Sequence, residues 1–419
     1  MRRLSLGLVL AATACGSAEP RYAVTGMLGI PSSAMVGSNL VFVDAAYDGN
    51  PARSSPGMVI DSGSPVVLID PTFFGLPPPA SAADVQTNVD LGLLRDGQVV
   101  VTVQQIPVVQ LSSGMMDDLG LAGVLGGNVL RQFSVQLDYA APMGHGFCLG
   151  CPATARDDVA PADTQIAFRL RGGLSGQLQQ LPSMPAVSAP ATRVPVTVTV
   201  EGTDYPFILD TGASEVSVLG SLFDALTADG RATLTNFPIA TAAGDTQASV
   251  TRTSSISVGD QVVSGAPVLA TPDIDDLLSE IGQEMGTEVD GLLGGTFLRN
   301  FLVTVDYPAG QLHLQRYNVQ AWSDEFKRVG IGLTQTFGAA HRYAVGAVYA
   351  GTDAAAQGIA FGSQVVSIDG TPLDGLDPFA ADQLLDGAVG TGKVLVIVPP
   401  GSSAFVTVQV LVDDLIPSP

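Results

Sequence analysis

The chain has 419 residues, 46% hydrophobic and only 14% charged, a globular composition with room for two or three domains that each bury a core. Its net charge of −22 and pI of about 4.2 exclude a nucleic-acid binder, which needs Lys and Arg to neutralise phosphates. Abundant Gly, Pro, Val, Thr and Ser with little Lys or Glu predict strands and turns rather than long helices.

Arg2 and Arg3, the apolar run Leu4 to Ala11 and the small residues Ala12-Thr13-Ala14 predict an export signal over residues 1–14. It is too short to span a membrane as a helix. The cut before Cys15 resembles a bacterial lipoprotein signal, which implies acylation of Cys15 and a leash over 15–21. Ala-Thr-Ala equally suits an ordinary signal peptidase and simple secretion. No Asp follows Cys15, and the resemblance then implies the outer membrane, facing the periplasm or the surface. Cys148 and Cys151 remain as an even pair in an oxidising compartment, best read as a disulfide staple. A redox motif would need a helix start, and a zinc site built with His145 lacks a fourth ligand nearby.

Alternation in Asn39 to Val43 and the β-branched run Gly97 to Val103 predict strands of a first lobe over 22–151. Residues 152–164 read as a linker. A second lobe over 165–317 contains Val194 to Val200, a turn at Glu201 to Asp204 and a hairpin centred on Ala240 to Thr246. Leu181 to Ala191 reads as a loop, and Asp273 to Met285 as a short helix. A third region over 328–413 has Gly330-Ile331-Gly332-Leu333 ahead of a strand, then Tyr343 to Val348, a short helix at Ala354 to Ile359, a strand, tight turn and strand over 362–373, and strands at 394–398 and 405–411.

The two lobes repeat one pattern. Met58-Val59-Ile60-Asp61-Ser62-Gly63-Ser64 is echoed by Phe207-Ile208-Leu209-Asp210-Thr211-Gly212-Ala213. Gly123-Val124-Leu125-Gly126-Gly127 is echoed by Gly291-Leu292-Leu293-Gly294-Gly295, and Val135 to Tyr139 by Val303 to Tyr307. A single Asp-Ser-Gly is usually a turn or cap; its repetition with the same downstream partners marks an internal duplication. Each copy holds one carboxylate in a strand-to-loop turn, where glycine lets the backbone bend and the following hydroxyl locks the loop. Two such carboxylates brought face to face cannot both ionise, so they share a proton. One then activates water while the other polarises a carbonyl. Asp138 and Asp306, before Tyr at strand ends, read as turn formers.

These residues resemble the aspartic peptidases over about 22–317, with a motif style most similar to bacterial retropepsin-like domains, here duplicated into a pepsin-like single chain. The resemblance implies a mainly β fold of two pseudo-twofold-related lobes and a monomer. It assigns Asp61 and Asp210 to the dyad, and Ser62, Gly63, Ser64, Thr211, Gly212 and Ala213 to its supporting loops, with the Ser64 position bonding the outer carboxylate oxygen. It calls for no metal and no cofactor, and for polypeptide substrates. Asp61 to Gly126 spans 65 residues and Asp210 to Gly294 spans 84. Lobe one has only the poor hairpin Gly75 to Ala80 at the flap position, and no Tyr between Asp61 and Tyr139. The third region resembles a bacterial PDZ domain, a β-sandwich or partial barrel with short helices. That implies capture of C-terminal peptides at Gly330, Ile331, Gly332 and Leu333 by strand addition. An inactive, peptide-holding envelope protein is the alternative reading.

Overall fold

The computed structural model describes residues 21–80, 83–111, 121–141, 143–160, 164–176, 187–241, 244–319, 324–335, 341–376 and 378–419. The export signal and Cys15 fall outside them. Three large antiparallel-rich sheets, of 13, nine and seven strands among the described residues, account for most of the chain. Helices are few and short; the longest, Pro272–Met285, starts at a Thr271 cap and stops at Gly286 in the left-handed region.

In each lobe a short central strand delivers the repeated Asp. Ser54–Ile60 runs parallel to Gly123–Leu125, with Ile60 opposite Leu125. Thr203–Leu209 runs parallel to Gly291–Leu293, with Leu209 opposite Leu293. Both strands end in consecutive apolar residues because both faces are covered; Met58, Ile60, Ile208 and Leu209 are fully buried. Each downstream strand is flanked antiparallel by a second short strand, Val67–Ile69 or Val216–Val218.

The lobes meet in a continuous ladder. Ser134–Asp138 pairs antiparallel with its own echo, Phe301–Asp306, and the residues at the middle of that register, Gln136 and Thr304, are equivalents in the duplication. A pseudo-twofold axis therefore passes between them, and Gln136 Nε2 donates to Thr304 Oγ1 across it at 3.1 Å.

Above this floor the lobes differ. Lobe two has the expected hairpin, Thr233–Thr241 with Gly244–Arg252, preceded by a helix, Gly220–Thr227, that the sequence reading missed. Lobe one has coil at 75–80. Its long hairpin, Ala83–Arg95 with Gln98–Leu111, folds back so that Leu91 to Leu93 pair with Ala45 to Tyr47. That is the place taken in lobe two by Ser255–Val258 against Thr199 and Val200. Lobe one's hairpin is thus part of its barrel wall, not a flap.

Three further expectations are corrected. Within the predicted loop Leu181 to Ala191, Val187–Ala189 pairs with Leu174–Gly176, while 177–186 lie outside the described residues. Ile331 to Leu333 does not precede a strand but lies in one, Ile331–Gln335, held in register against Tyr343–Val348. Asp138 is more than a turn former. It accepts from Tyr317 Oη (2.8 Å) and Arg156 Nη1 (2.6 Å), tying the linker and the end of lobe two to lobe one. Asp306 serves its turn as read, accepting from Ala309 N at 3.0 Å.

The third sheet runs Lys327–Val329, Val406–Asp414, Gly392–Val398, Gln364–Ile368, Tyr343–Val348, Ile331–Gln335, leaving Ile331–Gln335 at an edge. The helices Asp353–Ala356 and Pro378–Gln383 cover its core of Val329, Ile331, Val345, Ile368 and Ala381.

Candidate active site

The duplicated loops are bolted together by four reciprocal hydrogen bonds. Ser62 N donates to Thr211 Oγ1 and Thr211 N to Ser62 Oγ, both at 3.0 Å. Each hydroxyl then donates to the backbone of the opposite strand, Ser62 to Leu209 O (2.9 Å) and Thr211 to Ile60 O (2.7 Å). Both side chains are buried, so every one of these bonds is shielded from water.

That lock places each carboxylate against the glycine of the other loop. A Cβ on Gly63 would lie 2.5 Å from the Asp210 carboxyl, and one on Gly212 only 2.3 Å from Asp61 Cγ. No larger residue fits either position. Asp61 and Asp210 are half-buried and share a hydrogen bond. Burial, and then the charge of Asp61, hold Asp210 well above the ordinary carboxylate range. Burial also raises Asp61, less so because the Ser64 amide and the Asp210 carboxyl donate to it. Both carboxyls are thus raised and titrate as one pair, poised to share a single proton as acid and base.

The supports repeat from lobe to lobe. Asp61 N donates to Leu125 O (3.1 Å) and Asp210 N to Leu293 O (3.2 Å); Gly127 N donates to Ser64 O (2.7 Å) and Gly295 N to Ala213 O (2.8 Å). Gly126 and Gly294 pass so close beneath the loops that a Cβ would meet Val66 O or Glu215 O at 2.0 Å. One expectation needs correction: it is the Ser64 amide that donates to Asp61 Oδ1 (2.8 Å), whereas its hydroxyl turns away to Val66 O (2.8 Å). In lobe two Gly212 N donates to Asp210 Oδ1 at 3.0 Å.

Sequence reasoning missed three groups around the dyad. Arg193, buried and ion-paired to Glu284 at 3.5 Å, lowers the proton affinity of both aspartates by its charge. Tyr139 and Tyr307, the residues after the repeated Asp of each interlobe strand, are both buried close enough for dyad charge to push their hydroxyls up further than burial alone. Their duplication was the available signal. Glu215, half-buried at the far end of the lobe-two loop, is pushed up to about 7 mainly by burial.

The remaining predicted residues lie elsewhere. Cys148 and Cys151 are joined by a disulfide at the end of Met143–Leu149. Ile331 and Leu333 pack into the third sheet with Ala381 and Leu385, while Gly332 faces lobe two.

With this geometry in hand, residues 196–297 match the family model described as aspartyl protease, a segment that includes Asp210, its loop and the lobe-two hairpin. No curated protein matches the chain. Among solved structures the chain is similar to a photosystem II D1 C-terminal processing protease at 27% identity and a TM-score of 0.20, over 22% of this chain and 24% of that one. The chain thus spans under a quarter of that structure's length.

Proposed function

We propose that the protein is an aspartic endopeptidase whose dyad is Asp61 and Asp210, one from each lobe. The observation that carries this reading is the reciprocal Ser62–Thr211 lock, which sets two carboxyls of unequal proton affinity against each other. In the reaction Asp61, ionised, takes a proton from a water held between the carboxyls. The water oxygen attacks the peptide carbonyl carbon while Asp210 gives its proton to the carbonyl oxygen. The tetrahedral intermediate then collapses as a proton passes to the leaving nitrogen, and one proton stays on the pair. The charge of Arg193 favours the ionised member of the pair. Polypeptides are the substrates, the third domain recruits them or a partner peptide through its edge strand Ile331–Gln335, and an acylated Cys15 anchors the chain.

Residues 16–419, incubated with a denatured protein, should cleave it in the presence of EDTA and most rapidly below neutral pH. Activity should fall on the alkaline side as the shared proton leaves and on the acid side as Asp61 gains one. Binding without cleavage at any pH would favour the second reading, a peptide-holding protein. The observation on that side is the coil at 75–80, with no flap hairpin in lobe one among the described residues. Detergent-dependent extraction of the wild type, lost in Cys15→Ser, tests the anchor; recovery of the wild type wholly in the soluble fraction would mean simple secretion.

A further inference from the structure

The flap hairpin of lobe two rests on a domain outside both lobes. Its outer strand, Thr233–Thr241, is the edge of the nine-stranded sheet. Phe237 on that strand reaches the Phe326 ring at 5.3 Å between centroids and stacks on Tyr349 at 6.4 Å, with planes 23° apart. Phe326 immediately precedes the first strand of the third sheet, and Tyr349 follows Tyr343–Val348. Phe237 and Ile239 pack with Phe326, Ala347 and Tyr349 in one apolar cluster that runs on to Ile208 and Leu292 beneath the lobe-two dyad loop.

The next residue extends the contact. Pro238 lies so near the third domain's edge strand that a Cβ on Gly332 would come within 3.1 Å of its Cγ. Proline has no N–H to offer, and the two sheets are not joined by a ladder. They meet by side-chain packing. The contact begins just where the hairpin's own register shifts, between Leu234 and Phe237, with Asn236 in the left-handed region. A shift of this kind bends a hairpin, so the bend and its outside support coincide.

The Tyr349 hydroxyl is buried without a hydrogen-bond partner among the described residues. Burying an unpaired hydroxyl is unfavourable, so the ring is the part of this side chain that holds the contact.

We propose that Tyr349 and Phe326 are positioning residues of the peptidase: through Phe237 they hold the flap of lobe two at a set angle to the dyad cleft. The inference rests on the peptidase reading for its kinetic consequence, but the contact itself is independent of it. Among the described residues lobe one offers no flap, so substrate closure falls to the lobe-two hairpin. A cover that is already ordered costs less to close over substrate. Loosening it should therefore weaken substrate binding more than it slows chemistry.

The test compares Tyr349→Ala with Tyr349→Phe in the full exported chain, on a fluorogenic peptide and by amide hydrogen exchange. Tyr349→Ala should raise KM by about tenfold while kcat falls by less than about threefold. It should speed exchange at 237–248 and leave the strand Thr203–Leu209 protected. Tyr349→Phe, which keeps the ring and removes only the unpaired hydroxyl, should restore both readouts. Should Tyr349→Ala fail to fold, Phe237→Leu takes its place, with a smaller shift in the same direction. Wild-type exchange at 237–248 in Tyr349→Ala, or in Phe237→Leu where it stands in, would overturn the proposal. So would an unchanged KM, or loss of activity in Tyr349→Phe equal to that in Tyr349→Ala. If no variant or wild type cleaves peptide, the peptidase reading fails while the exchange result still decides whether the flap is held from outside.

Discussion

In lobe one, residues 75–82 alone connect the turn Pro71–Phe74 to the strand Ala83–Arg95; at the same step lobe two inserts the helix Gly220–Thr227 and the strand Thr233–Thr241. Beneath that step the lobes match bond for bond, from the Leu125 and Leu293 carbonyls that accept the aspartate amides to the Ser62–Thr211 lock. The contrast separates two kinds of constraint. A dyad needs both carboxylates at matched heights, and the backbone bonds that set the two loops persist in both copies. A cover is needed only once, and the copy that carries it is also the copy to which the third domain is docked. The 19 extra residues between Asp210 and Gly294 went into helices and the flap, not into the catalytic floor.

The floor symmetry can be broken most severely at its glycines. Gly63→Ala and Gly212→Ala each put a methyl carbon inside the opposite carboxyl. Each should lower kcat on a fluorogenic peptide by about 100-fold or more, since displacements near 1 Å cost on that order. A tenfold difference between the two would show that the copies are not equivalent. Next come the locking hydroxyls. Ser62→Ala and Thr211→Val each leave a buried amide and carbonyl short of a partner, and each should cost about 2–4 kcal/mol in denaturant unfolding. Loss confined to one of them would mean that a single hydroxyl holds both loops.

Glu215 belongs to lobe two only, its counterpart at the end of the lobe-one loop being Val66. Ser214 donates to it, and Arg299, Glu325 and Asp382 supply the nearby charge. Its pKa in the fold, about 7, exceeds the ordinary glutamate value of 4.5. The folded protein therefore holds that proton more tightly than the unfolded chain. The associated stability is fully present below about 4.5 and is lost as pH rises through about 7. Glu215→Gln should cancel this loss, gaining on the order of 2 kcal/mol over wild type at alkaline pH and little in acid. A wild-type-minus-variant difference that does not change with pH would remove Glu215 from the account. The smallest effect is expected in the coil of lobe one. Pro78→Ala, at an exposed position, should alter kcat/KM by less than about twofold. Ile239→Ala in the flap should raise KM several-fold. Equal effects would contradict the assignment of cover to lobe two alone.

Much of the fold and site is legible in the sequence because it repeats. The dyad, the paired glycines and the interlobe strands each appear twice in order, and repetition turns a common tripeptide into a specific signal. The hairpin Ala240 to Thr246 is readable from its turn residues, and the helix at Asp273 to Met285 from its apolar spacing. What stays hidden depends on partners distant in sequence. The long hairpin of lobe one alternates like any flap, and only its pairing with Ala45 to Tyr47 shows that it is wall. Arg193 sits in a stretch with no motif, and its effect on the dyad exists only once the chain is folded. Tyr349 lies more than 100 residues beyond Phe237 in sequence, and no local pattern announces that an aromatic of the third domain meets the flap. The Ser64 position does bond Asp61, but through its amide, which no side-chain pattern in the sequence could show.

The central claim is that the two halves of the duplication supply one shared catalytic pair, and kcat in a mutant cycle over Asp61 and Asp210 tests it most directly. Asp61→Asn and Asp210→Asn should each reduce kcat on a denatured protein substrate by about 10⁴-fold or more, and the double variant should lose no more than either single one, since groups that act as a unit are not additive. Wild-type turnover surviving in either single variant, or two partial losses that multiply in the double, would contradict a shared dyad.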